Sequence, residues 1–215
     1  MDSLGHRAAP RAATLAGLLL GAAGHVAAQA PGLPIYGAGM SPGLELSATG
    51  GWAGSSSMTG KATSFGATAA YRWSRVGLSG TAGYLDGDLG NKATFGALAN
   101  LRLLGGGVDT PFEVGILGGY GGTSGSHGGN PSWHAPAGVG FSLTIATPVV
   151  SIRPWLAPRA EFFSTEESGT RETVTRFAGS AGVDLRFVGG FGLRVLWDKV
   201  DGYDQTIGAG LAYRF

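Results

Sequence analysis

The last eleven residues of the chain, 205–215, alternate strictly between two kinds of side chain. Successive side chains of a β-strand point to opposite faces, so a strand formed here has one wholly apolar wall. The opposite wall carries small and polar groups and ends on a charge, Arg214. The segment therefore predicts a strand whose two faces meet very different surroundings. Its apolar positions are Ile207, Ala209, Leu211, Tyr213 and Phe215.

Nine earlier segments show the same alternation, at intervals too short for intervening helices. No stretch keeps the apolar spacing of an amphipathic helix for three turns, and glycine or β-branched residues interrupt every candidate. The nine segments and the C-terminal segment together predict an all-β fold of ten strands, with eight strands as the alternative. The nine segments are 44–53, 63–73, 76–86, 92–103, 111–122, 136–147, 151–163, 173–187 and 191–198.

The connections between these segments are long after odd-numbered strands and mostly short after even-numbered ones. In an up-and-down meander with an even number of strands, the short turns and both termini fall on one side. We call that side the turn end and the opposite side the loop end. The predicted long connections are 54–62, 87–91, 123–135, 164–172 and 199–204, and the predicted turns are 74–75, 104–110, 148–150 and 188–190.

The charged residues of the strands share one face, apart from Asp86 at the end of its segment, and no charge interrupts the apolar series of the other face. If the apolar face meets lipid, closure of the sheet satisfies every backbone hydrogen bond and leaves no free edge. We therefore predict a transmembrane antiparallel up-and-down β-barrel whose lumen holds the charges, with Arg159, Glu161 and Arg176 paired as a rigidifying cluster. The full predicted lumen charge cluster is Arg102, Glu113, Arg153, Arg159, Glu161, Arg176, Asp184, Arg186 and Arg194.

Aromatic residues concentrate at the two ends of the apolar face, which predicts two girdles at the membrane interfaces. Phe65 and Trp73 lie on one strand, roughly 26 Å apart at ~3.3 Å per residue, or about 20 Å in height at a tilt of about 40°. That height fits a thin outer membrane. The loop-end girdle is Trp52, Phe65, Tyr84, Phe95, Tyr120, Phe162, Phe177 and Trp197; the turn-end girdle is Tyr71, Trp73, Phe112, Phe187, Phe191, Tyr213 and Phe215.

The N-terminus predicts an export signal. Two arginines precede an apolar run over 12–23 that is too short to span a bilayer, and Val26 and Ala28 suit a signal-peptidase site. Cleavage after Ala28 divides the chain into a signal peptide, 1–28, an N-terminal lead segment, 29–43, and the barrel, 44–215. The mature chain then carries equal numbers of acidic and basic residues, which gives no reason to expect nucleic-acid binding. The absence of cysteine excludes a disulfide framework and a thiolate metal site.

From Leu44 onward, the alternation, the loop asymmetry and the terminal Tyr213-Arg214-Phe215 resemble the small bacterial outer-membrane β-barrel proteins of the OmpA-like and OmpX-like kind. The resemblance implies turns and termini in the periplasm. It also implies that the barrel-assembly machinery reads Leu211, Tyr213 and Phe215. The expected partners are outer-membrane lipid, lipopolysaccharide and that machinery, and the expected state is a monomer. Ten strands depart from the eight-stranded OmpA and OmpX pattern.

Candidate catalytic groups are sparse in the mature sequence. His127 and His134 are its two histidines, and both fall in the predicted outer loop 123–135, which is rich in glycine and contains no carboxylate to orient an imidazole. We therefore predict no enzymatic activity, no cofactor and no metal. The predicted function is a structural or surface-interaction role in the outer membrane. The alternatives are a narrow channel that weakly prefers anions and a lipid-modifying outer-membrane enzyme.

Overall fold

The structure is a computed structural model that describes residues 43–54, 61–87, 90–107, 110–124, 132–167 and 170–215. The predicted signal peptide and lead segment lie outside these ranges, apart from residue 43, which begins the first strand. No helix in the described ranges is long and apolar enough to cross a membrane.

Ten strands make up most of the described chain. The sixth is interrupted at Thr144 and resumes for two residues, and we count both pieces as one strand. The strands are β1 Gly43–Ala53, β2 Ala62–Trp73, β3 Val76–Gly87, β4 Lys92–Gly107, β5 Thr110–Thr123, β6 Ser132–Leu143 with Ile145–Ala146, β7 Val150–Glu167, β8 Thr170–Phe187, β9 Phe191–Val200 and β10 Thr206–Arg214.

Every strand pairs antiparallel with its neighbours in the chain, and β1 pairs with β10. That last pairing runs from Glu45 opposite Arg214 to Ala53 opposite Thr206. The sheet is therefore a closed barrel without a free edge among the described strands. The prediction of ten strands in an up-and-down order is confirmed.

Two tight turns depend on left-handed backbone. The turn between β8 and β9 contains Gly189 and Gly190, with φ of 95° and 88°, where a side chain would be strained. The two-residue turn between β2 and β3 places Ser74 at a φ of 51°. Both turns lie at the turn end, as the short connections predict.

Four strands run at least three residues further than the sequence predicts. β7 and β8 continue to Glu167 and Thr170, so most of the predicted loop 164–172 is a strand pair. β4 continues to Gly107 because two register shifts, beginning after Arg102 and after Gly105, absorb extra residues in the pairing with β5. β6 begins at Ser132 rather than at residue 136, which changes the setting of a histidine described below.

Candidate functional site

The outer wall of the barrel is apolar between its two aromatic girdles. Large apolar side chains that alternate along every strand are exposed on this wall, and none of the predicted lumen charges points to it. All eight residues of the predicted loop-end girdle are exposed, and so are six of the seven residues of the turn-end girdle. The remaining one, Phe187, is half-buried. Leu211, Tyr213 and Phe215 are exposed on this wall at the turn end.

The lumen contains three layers of side chains, and β7 shows their order. Along this strand Arg153 faces inward near the turn end, Trp155 and Ala157 follow, and Arg159 and Glu161 lie nearest the loop end; all five are buried. We name the layers the turn-end layer, the apolar layer and the loop-end layer.

The turn-end layer is one connected set of ion pairs that crosses the barrel. Arg72 on β2 donates two hydrogen bonds to Glu113 on β5, at 3.0 and 2.8 Å. Arg153 links Glu113 to Asp184, at 3.8 and 4.0 Å. Arg194 donates to Asp184 at 2.6 and 3.1 Å and to Glu45 at 3.3 Å. The layer comprises Glu45, Arg72, Glu113, Arg153, Asp184, Arg186, Arg194 and Arg214.

The apolar layer lies between the two charged layers. Leu98 on β4 and Leu196 on β9 belong to one buried cluster, although their strands are on opposite sides of the ten-strand ring. Trp155 fills the space between and donates its indole N–H to Asp184 at 3.4 Å. The full layer is Leu98, Leu117, Trp155, Ala157 and Leu196.

The loop-end layer is built around Glu161. Its Oε2 lies 2.6 Å from Nδ1 of His134, and its Oε1 accepts a hydrogen bond from Nε of Arg159. Arg159 also contacts Asp198 at 2.9 Å and donates to Ser180, whose hydroxyl donates to Asp198. His134 and Glu161 are both almost fully buried. The layer therefore combines an imidazole, a guanidinium, two carboxylates and a hydroxyl.

Closure of the sheet, an exposed wall without charge between its aromatic ends, and a charged interior occur together in this chain. Soluble barrels place their apolar residues inside, because water solvates the outer face. Here the buried residues include four arginines and four carboxylates with under a tenth of their surface accessible. The chain is a small, closed β-barrel with the architecture of a transmembrane barrel.

Solved structures with a similar fold include several outer-membrane barrels. The N-terminal β-barrel domain of Pseudomonas aeruginosa OprF has 14% identity, with 81% of this chain and 98% of that chain covered and a TM-score of 0.40. The β domain of the Bordetella autotransporter Brka has 16% identity, coverage of 81% and 100%, and a TM-score of 0.49. The outer membrane protease OmpT from Escherichia coli has 8% identity, coverage of 81% and 94%, and a TM-score of 0.40. No protein-family model matches the sequence, and no curated protein matches it.

The structure places all nine residues of the predicted lumen charge cluster on the lumen side of the barrel wall. They do not form one cluster, because seven are divided between two layers and two make other contacts. Glu113, Arg153, Asp184, Arg186 and Arg194 lie in the turn-end layer, and Arg159 and Glu161 lie in the loop-end layer. The remaining two make other contacts. Arg102 donates to the backbone carbonyls of Gly106 and Ser74, and Arg176 lies 5.9 Å from the ring centroid of Tyr203. Glu161 therefore contacts Arg159, as predicted, but its second partner is His134 and not Arg176.

The prediction that His134 lies in an outer loop is wrong. His134 is part of β6, its ring stacks on Phe163 at 5.7 Å between centroids, and Glu161 orients it. Trp133 beside it points outward and contacts Tyr120, with 5.7 Å between ring centroids. The other candidate histidine, His127, lies outside the described residues.

A signal for this placement is present in the sequence. Trp133 and Ala135 continue the outward phase of the apolar positions that follow in β6, and His134 falls in the inward phase. Pro136 favours a strand that begins at residue 136, because proline is common at the first position of a strand and rare inside one. In the barrel it lies inside β6 and is buried, opposite Glu161.

Proposed function

We propose that this chain is exported to the bacterial outer membrane and acts there as a rigid, largely filled barrel with a structural or surface-interaction role. The observation that carries the proposal is the stack of three layers across the lumen, because a filled lumen stiffens a barrel and obstructs flow. Small barrels are usually filled by their own side chains, whereas open porins have 16 to 18 strands.

The first test is conductance across a planar lipid bilayer. The purified barrel is expected to give no current steps above background. Leu196 in the apolar layer is only 2% exposed, whereas its neighbour Val195 is 57% exposed on the outer wall. Leu196→Ala removes part of the obstruction and is expected to raise ion leakage, and Val195→Ala is the matched control that should stay silent.

A narrow channel is the principal competing function, and one feature of the lumen favours it. The inward side chains of β1 to β3 are mostly small, and Ser47, Ser79 and Thr81 are half-buried. Water along this wall would pass the arginines of the turn-end layer and would favour anions. Regular current steps from the unaltered barrel, with a reversal potential set by the anion gradient, would reject the filled barrel and support this channel.

The export part of the proposal has its own test. Protein recovered from the outer-membrane fraction should begin at Gln29 by N-terminal sequencing, because cleavage is expected after Ala28. Its band in a denaturing gel should shift on heating, as the folded barrel resists detergent. An intact N-terminus, or recovery of the mature protein in detergent-free soluble fractions, would contradict export to this membrane.

A lipid-modifying enzyme is a second candidate, favoured by the pairing of His134 with Glu161. A carboxylate accepts only, so Nδ1 of His134 carries the proton of that hydrogen bond, and Nε2 of a neutral imidazole is then an acceptor. This is how a carboxylate orients a histidine that acts as a general base. The test compares hydrolysis of lipopolysaccharide acyl esters by the unaltered barrel and by His134→Ala. Loss of an activity that the unaltered barrel possesses would establish the enzyme, and equal rates would reject it.

A further inference from the structure

The turn-end layer carries more positive than negative charge. In the ion pairs that connect the described residues of this layer, five guanidinium groups face three carboxylates, so the guanidinium groups outnumber their carboxylate partners by two. An uncompensated charge removed from water is costly, which makes an additional anion favourable at this place. This excess of guanidinium groups lies inside the lumen, because the outer wall beside it is apolar.

The surplus is concentrated at Glu45. Three arginines share this carboxylate: Arg194 contacts Oε1 at 3.3 Å, while Arg186 and Arg214 contact the same Oε2 at 2.5 and 3.4 Å. Arg194 has a second carboxylate, Asp184, on which it makes two hydrogen bonds. Arg186 and Arg214 therefore share a single carboxylate, which Arg194 also contacts.

Both side chains also keep unused donors. A guanidinium has five N–H groups in a planar fork. Among the described residues, the hydrogen bonds of the Arg186 and Arg214 side chains go to Glu45, one from each, and the buried Nε of Arg214 has no partner there. Planar forks of this kind bind phosphate and carboxylate groups through paired hydrogen bonds.

The two arginines are also the members of the layer that solvent reaches. Their side chains are 23% and 11% exposed, whereas those of Arg72, Arg153 and Arg194 are at most 5% exposed. On the intervening strand β9 the residue opposite Arg186 is Gly192, which has no side chain to separate the two guanidinium groups. The site is therefore open toward the turn end.

We propose that Arg186 and Arg214 form an anion-binding site at the turn end of the lumen, and that its ligand is a phosphate group. A phosphate group is an anion that offers several acceptor oxygens to the unused donors of these two arginines. It reaches the site either as inorganic phosphate or as the headgroup of a phospholipid at the membrane surface. This site does not depend on whether the lumen conducts.

The test is isothermal titration calorimetry of the full mature barrel in an uncharged detergent with inorganic phosphate, at constant ionic strength. The unaltered barrel is expected to bind phosphate, and Arg186→Gln and Arg214→Gln are each expected to weaken binding at least tenfold. Arg75→Gln is the matched control, since Arg75 is exposed in the turn between β2 and β3. A heat-modifiability gel first establishes that each variant is folded.

Two further arms sharpen the result. Glu45→Gln frees the N–H groups of Arg186 and Arg214 that bond to Glu45 and increases the net positive charge of the layer. Phosphate binding should therefore become several-fold tighter. A purely structural role of the two arginines would not cause this change. Mixed micelles containing phosphatidic acid should compete with inorganic phosphate if a lipid headgroup is the ligand, and should leave its titration unchanged if free phosphate is. Absence of phosphate binding to the unaltered barrel, or equal binding by the two arginine variants and Arg75→Gln, would overturn the proposal.

Discussion

Replacing Glu113 with glutamine is expected to lower the free energy of unfolding of the barrel by about 3 kcal/mol, the lower end of the range for breaking a buried ion pair. Glu113 is completely buried, accepts two hydrogen bonds from Arg72 and lies 3.8 Å from Arg153. At a separation of about 4 Å and an effective dielectric constant of about 20, one such charge pair is worth about 4 kcal/mol. Glutamine keeps the shape and one carbonyl acceptor but leaves two guanidinium groups with less counter-charge.

The assay is equilibrium urea unfolding of the barrel in lipid vesicles, followed by tryptophan fluorescence and by the heat-modifiable gel band. Trp155 lies in the apolar layer next to the altered site, so its fluorescence reports the lumen directly. Asp201→Asn is the matched control, because Asp201 is exposed at the loop end. Removal of that surface charge should change the free energy of unfolding by no more than about 0.5 kcal/mol.

A double-mutant cycle separates the ion pair from other effects of the substitution. Arg72→Gln combined with Glu113→Gln removes both charges, so the double variant should be more stable than the sum of the two single changes by about 2 kcal/mol. An additive result, or a Glu113→Gln barrel that unfolds at the same urea concentration as the unaltered one, would refute the role assigned to the turn-end layer.

Three further substitutions test packing, orientation and assembly. Gly182→Ala should destabilise the barrel by about 1–3 kcal/mol in urea unfolding, because its Cβ would lie 2.5 Å from a ring carbon of Trp155. Gly179→Ala is the control and should be neutral, because its Cβ would have no atom within 4 Å. Equal effects of the two substitutions would contradict the packed lumen. Val195→Arg should cost up to about 2–4 kcal/mol in vesicles, since it places a cation on the lipid-facing wall, and a neutral effect would argue against that orientation. Phe215→Ala should reduce the heat-modifiable barrel in cell membranes without impairing refolding of the purified chain into detergent; unchanged amounts in membranes would count against an assembly role.

The strand order and the faces of the barrel follow from a period of two in the sequence. Each strand between Leu44 and Phe215 has one side in contact with lipid, where a charge is costly, so the uncharged phase identifies the outer wall without any knowledge of the pairing. Strand ends are less predictable. β7 and β8 extend toward the loop end through polar residues, because mutual backbone pairing, rather than side-chain hydropathy, decides where those strands stop.

The partners inside the lumen do not follow from the sequence. Arg72 and Glu113 are 41 positions apart and meet because the closed sheet curves β2 and β5, three strands apart in the ring, around the same part of the lumen. Glu161 lies opposite Arg176 in the strand register, yet its side chain bonds to Arg159 and His134 instead. Strand pairing brings side chains within reach, and the space in the lumen decides which of them bond.

The seam between β1 and β10 has a consequence for how such a chain matures. Glu45 on the first described strand bonds to Arg186, Arg194 and Arg214, which come 141, 149 and 169 positions later. Contacts between residues so far apart in sequence form slowly, because closing a long segment costs conformational entropy before any bond between its ends forms. Until β10 pairs with β1 the sheet has two unpaired edges, so Glu45 and Arg214 can meet only when the ring closes.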